Sequence, residues 1–178
     1  YRYCALKILN NKNIYNQKFI NEISKKITLK KLKNQKLYSP EVAKLSSIIA
    51  KKPFVRKSLK NFQKDFIKKS RLVVIEGRDI GTKIMVHADL KIFFKCSIKE
   101  KAKRRFKDFK KLNNRITLKE VKKALIQRDK EDTKRKISPL IMAKNSVLVD
   151  TTKLTKKQME AKLINLVRRS ISKKYGDI

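Results

Sequence analysis

Two short runs concentrate the side chains best suited to recognising charge. Glu76-Gly77-Arg78-Asp79-Ile80-Gly81-Thr82 holds two of the chain's three glycines beside an Arg-Asp pair. Glycine lets a backbone approach a ligand closely, Arg presents a planar fork, and Asp accepts from an amine or hydroxyl, so the run suits a phosphate or nucleotide. It reads equally as an ordinary strand-to-loop turn with a surface ion pair. The second run is Arg128, Asp132 and Arg135, spaced i, i+4, i+7. On a helix all three leave from one face, which is either an exposed ion-pair ladder or an anion clamp. Only 11 of the 50 basic residues are Arg, yet both basic positions on that face are Arg. Polyphosphate binding prefers forked guanidinium groups to ammonium. Arg104-Arg105 invites the same argument more weakly.

The elements that must hold these groups are legible from period and punctuation. Ala5, Leu6 and Leu9 read as the end of a helix closed by Asn10, Asn11 and Asn13, and Phe19, Ile20, Ile23 and Ile27 repeat at helical spacing. A polar segment of little periodicity follows to Leu37. Ser39-Pro40-Glu41 is an N-cap, a proline at the first helical position and an acid in the first turn; Lys52-Pro53 ends that helix and starts another through Val55, Leu59, Phe62 and Phe66. From residue 72 the period changes. Leu72-Val73-Val74-Ile75, Leu90 to Cys96 and Val147-Leu148-Val149 are expected as strands, the first buried on both faces of a parallel sheet. Ile98 to Leu112 is helical in spacing, and Thr117 with Glu120 and Thr155 with Gln158 are capping boxes opening two more helices. Strands alternating with helices imply an α/β fold with a parallel sheet flanked by helices. In such sheets ligands bind at the carboxyl ends of strands, where residues 76–82 fall.

Composition narrows the classes. The 178 residues carry a formal net charge of +35, with 40% hydrophobic residues, enough for one domain with a real core. That charge draws polyanions, and a basic RNA-binding protein is the alternative reading; the lysines spread over the whole length without interleaved stacking aromatics, which favours a solvated surface over a nucleic-acid stripe. No apolar run approaches the roughly 18 residues of a membrane span, and no secretory signal opens the chain, so a cytoplasmic location and no membrane partner are expected. Cys4, Cys96 and the single His87 make neither a disulfide framework nor a zinc site, so no protein-held metal is expected.

Several motifs in order carry a resemblance. Tyr1-Arg2, Ser39-Pro40-Glu41-Val42, Pro53-Phe54-Val55-Arg56, Glu76 to Thr82 with Ala88 to Phe93, Ala102 to Arg105, Arg128-Asp129 with Asp132, Arg135 and Ser138-Pro139-Leu140, and Asp150-Thr151-Thr152 together resemble the bacterial cytidylate kinases, which are P-loop nucleoside-monophosphate kinases. The resemblance implies a phosphoryl transfer from ATP, with Mg²⁺, to CMP or dCMP. It implies that Ser47, Arg56 and Asp79 read the cytosine and that Asp132 holds the pentose hydroxyls. Arg2, Arg78, Arg128 and Arg135 would clamp phosphates, with Arg78, Arg128 and Arg135 at the transfer itself, and Arg104, Arg105 and Arg128 would face ATP. Residues 11–70 would form a CMP-binding domain and 104–140 a lid on an incomplete core of 1–10, 71–103 and 141–178. A monomer with no specific nucleic-acid partner is expected.

Some positions depart from the family pattern: Tyr38 stands where Arg is common, Lys64 follows Gln63 where Arg is usual, Val86-His87 replace a Pro-Asp pair, and residues 28–37 look shortened. His87 reads as a loop residue. No Gly-x-x-x-x-Gly-Lys-Ser/Thr occurs, and the family carries that loop on a first strand and helix. The expectation is therefore a chain truncated before Tyr1, with little kinase activity of its own.

Overall fold

A computed structural model describes residues 1–11, 16–111 and 115–176. Asn13 and Leu112, named above as the end of one helix and part of another, lie outside the described residues. Helices α1 (Arg2–Asn10), α2 (Gln17–Lys25), α4 (Pro40–Ile49) and α5 (Pro53–Lys68) form one cluster, with the short α3 (Leu29–Leu32) and a 3₁₀ turn (Gln35–Tyr38) between α2 and α4. Each start has a local cause. Asn16, Thr28 and Ser39 accept from the backbone N–H three residues on, which satisfies a donor the helix cannot, and Pro40 and Pro53 occupy first positions where no N–H is needed.

The cluster shares one apolar core. Cys4, Ala5 and Ile8 of α1 meet Ile20, Ile23, Leu37, Val42, Ile49, Val55 and Leu59, all nearly removed from water. At roughly 25 cal/mol per Å², this burial is what holds these helices together, since most are too short to be stable alone. The polar segment between Thr28 and Leu37 proves less irregular than its pattern: capping by Thr28 and Asn34 shapes α3 and the 3₁₀ turn, and Leu37 is buried.

The sheet has two described strands, β1 (Ile92–Lys95) and β2 (Val147–Asp150), parallel and in register from Ile92↔Val147 to Lys95↔Asp150. The expected strand at residues 72–75 does not form. Leu72 and Val74 are 90% and 98% exposed. No described strand lies alongside them, and a β-rich run becomes a strand only when a neighbour takes up its N–H and C=O groups. Phe94 and Leu148 likewise keep about half their surface in water, 51% and 50%.

Between the strands, α6 (Ile98–Lys111) packs on α7 (Leu118–Lys134) through Ala102, Phe109 and Val121. Both capping boxes form: Thr117 with Glu120 opens α7, and Thr155 with Gln158 opens α8 (Lys156–Tyr175). No helix among the described residues is long and apolar enough to cross a membrane. His87 lies in a turn of the loop before β1, as expected.

Candidate active site

Residues 76–82 leave the exposed segment and enter a single π-helical turn, Ile80–Ile84, where Met85 N donates to Ile80 O at 2.7 Å. A π turn costs regular hydrogen bonding and concentrates at functional sites. Gly77 is needed for packing: a Cβ there would come within 2.7 Å of Ile80 Cγ1. The side chain of Ile80, which is buried, takes the space beside Gly77.

Those two neighbours take opposite partners. Asp79 accepts from Arg56 Nη1 at 2.7 Å, and Arg56 Nε donates to Ala50 O at 2.6 Å, at the end of α4. Both side chains of this pair are about nine-tenths removed from water, 10% and 11% exposed. Such a pair holds only because the donors and acceptors are matched, since either charge alone in that position would be costly. The Tyr1 ring lies over the Arg56 guanidinium, 5.5 Å from its centroid. Ser47, one helical turn before Ala50 on α4, has a buried hydroxyl with no protein partner.

Arg78 turns the other way. Its Nε lies 3.0 Å from Asp132 Oδ2 and its Nη2 3.9 Å from Asp129 Oδ1. The helical face expected at 128–135 is real: Arg128 Nε is 3.7 Å from Asp132 Oδ2, and Arg135, the C-cap of α7, donates to Asp132 Oδ1 at 3.0 Å and to Ser138 O at 2.6 Å. Arg78 and Arg128 meet Oδ2 as ion pairs without hydrogen-bond geometry, whereas Arg135 makes a true hydrogen bond to Oδ1. One carboxylate, 5% exposed, therefore faces three guanidinium groups.

Arg2 and Arg105 complete the cationic side. Burial first, and then the charges of Arg105 and Arg128, pull the Arg2 pKa down to about 10. Burial followed by Arg78 lowers that of Arg128, and burial followed by Arg56 lowers that of Arg135. Each shift records positive charge that is crowded and partly desolvated, with carboxylates too few to offset it.

The adjacent pair Arg104-Arg105 splits as Arg78-Asp79 does. Arg105 pairs with Asp108 at 3.6 Å, lies over the Phe109 ring and contributes to the field on Arg2 and Arg128. Arg104 instead donates to Thr151 O at 2.8 Å and Leu154 O at 3.2 Å and pairs with Glu100, tying α6 to the turn after β2. Successive helix residues point about 100° apart, so one side chain of such a pair faces the cluster and the other does not.

Sequence reasoning assigned no role to Asp129, which bridges Lys101 Nζ at 2.7 Å and Arg78. Its signal is its place three residues before Asp132, on the same helix face.

The sequence profile described as cytidylate kinase matches residues 1–169. The chain belongs to the cytidylate kinase family. It is similar to the cytidylate kinase of Thermotoga petrophila, 36% identical over 138 residues that cover 78% of this chain and 62% of that protein. The similarity to the Alkaliphilus oremlandii cytidylate kinase is 34% over 179 residues, covering 94% of this chain and 82% of the relative. With that of Carboxydothermus hydrogenoformans it is 39% over 131 residues, 74% and 59%. The chain thus spans about 62% of the first of these relatives. The family's motifs fall here on two ion-paired groups, Arg56 with Asp79 and Asp132 with its three arginines, with Arg2 and Arg105 close enough to act electrostatically on each other and Arg105 on Arg128.

Proposed function

We propose that this network binds the acceptor nucleotide of a phosphoryl transfer from MgATP to CMP or dCMP, giving the diphosphate. The observation that carries the reading is the crowding of Arg2, Arg78, Arg105, Arg128 and Arg135 around too few carboxylates, beside the buried Arg56–Asp79 pair. Phosphoryl transfer needs in-line positioning and neutralisation of charge spread over phosphate oxygens more than covalent help, and a preorganised set of guanidinium forks supplies both. Arg78, Arg128 and Arg135 act at the transferring group, Arg2 on the acceptor's phosphate, and Arg105 with Arg128 toward ATP. Arg104, engaged with Thr151 and Leu154, shapes the turn beside that nucleotide. Asp132 accepts from the pentose hydroxyls.

At the base, Asp79 accepts from the cytosine amine while Arg56 holds the carboxylate in place, and the unpartnered Ser47 hydroxyl reaches the same edge. Residues 11–70 and 104–140 then act as a CMP-binding unit and a lid. Mg²⁺ is taken as the substrate's own ion on the ATP phosphates. The 178 residues contain no Gly-x-x-x-x-Gly-Lys-Ser/Thr loop, so the reading expects little turnover of ATP by this chain alone.

The test is therefore binding. Calorimetric titration of the chain with CMP, dCMP, UMP and cytidine should show CMP binding at least about tenfold tighter than UMP, with the phosphate-free nucleoside weaker still. Equal affinity for CMP and UMP would reduce the site to a nonspecific anion cluster.

A further inference from the structure

Arg2 is held differently from the other arginines of the network. Among the described residues it has no carboxylate in ion-pair range. Its Nη1 donates to Leu37 O at 3.0 Å, and its guanidinium carbon lies 5.0 Å from the centroid of the Tyr38 ring. Both contacts come from consecutive residues of the one 3₁₀ turn, which packs against α1 and α4. The carbonyl sets one edge of the guanidinium and the ring sets its plane, while its remaining N–H groups have no acceptor among the described residues. Tyr38 itself is 45% exposed and lies outside the apolar core cluster.

We infer that Tyr38 is a positioning residue that presents Arg2 to the acceptor's phosphate, an inference that rests on the reading of Arg2 as a phosphate ligand. The chemical logic is that an aromatic face and a carboxylate hold a cation with opposite consequences. A carboxylate would fix Arg2 and neutralise it. The negative face of a ring attracts the guanidinium through its quadrupole and leaves the full positive charge available to an anion. That matters here because the ring holds Arg2 against the repulsion of Arg105 and Arg128.

Tyr38→Leu and Tyr38→Phe, each alone and combined with Arg2→Ala, test the inference by calorimetric titration with CMP, cytidine and inorganic phosphate at low salt. Losing the ring should weaken CMP and inorganic phosphate about two- to fivefold, the range of a partly exposed cation–π contact, and leave cytidine unchanged. Tyr38→Phe, which keeps the ring face, should restore wild-type affinity, and Tyr38→Leu should have no further effect once Arg2 is Ala. Unchanged CMP affinity in Tyr38→Leu, equal weakening of CMP and cytidine, or a persistent effect in the Arg2→Ala background would each overturn the inference. If wild type binds inorganic phosphate but not CMP, and Tyr38→Leu still weakens phosphate, the nucleotide reading fails while the role of Tyr38 stands. If wild type binds neither, both fail.

Discussion

Replacing Asp132 with asparagine keeps the shape of the side chain and deletes the charge on which Arg78, Arg128 and Arg135 converge. Removing one partner of a fully buried ion pair costs about 3–5 kcal/mol, because the other charge is left desolvated and unpaired. Here the cost is smaller. Arg78 is 38% exposed and keeps Asp129 in range, and Arg135 keeps its bond to Ser138 O. Arg135, 7% exposed, and Arg128, 24% exposed and already crowded, bear most of it. We expect a destabilisation of about 2–3 kcal/mol, which for a urea slope of about 2 kcal/mol/M shifts the midpoint down by about 1–1.5 M. Inorganic phosphate should recover part of the loss, since a ligand that binds only the folded state stabilises it in proportion to its occupancy. Urea unfolding followed by circular dichroism, with and without phosphate, measures both. Asp108→Asn is the control: its pair with Arg105 is exposed, and it should change stability by less than about 0.5 kcal/mol. A midpoint for Asp132→Asn within error of wild type, or phosphate stabilising wild type and variant equally, would refute the view that this carboxylate holds an overcharged cluster together.

Asp79→Asn offers an amide where a carboxylate accepted, so the ratio of CMP to UMP affinity should narrow by about tenfold in competition titrations; an unchanged ratio would leave Asp79 to its pairing with Arg56 alone. Lys51 Nζ lies 2.7 Å from Glu131 and joins the end of α4 to α7, and hydrogen bonds from Lys51 and then Gln127 hold the Glu131 carboxyl below its ordinary pKa. A depressed acid stabilises the fold above the unfolded-state value near 4.5 and loses that contribution as pH falls through the folded-state value, so wild type and Glu131→Gln should differ by on the order of 0.5 kcal/mol at pH 7 and converge as pH falls below the folded-state value in thermal melts. A difference that persists at low pH would mean the side chain contributes through packing.

Sequence alone sufficed for what is local. The starts of α4, α7 and α8 follow from Ser39-Pro40-Glu41 and the two Thr-led capping boxes, because the groups that satisfy a helix's first N–H donors lie within three residues of them. The common face of Arg128, Asp132 and Arg135 follows from helical period in the same way. Family membership was legible too, since it rests on the order and spacing of short motifs. The tertiary structure decided whatever depends on a distant partner. Residues 72–75 have the composition of a strand yet form none, with Leu72 and Val74 exposed, because pairing requires a neighbouring backbone that composition does not encode. Arg78 reaches Asp132 while its neighbour Asp79 reaches Arg56, and Arg104 ties α6 to Thr151 while Arg105 faces Arg2, choices made by elements that meet across the fold. The support of Arg2 by Tyr38 belongs with these. A ring's distance from a guanidinium 36 positions away is set by how α1 packs on the turn before α4, a consequence of the buried core and of no local rule.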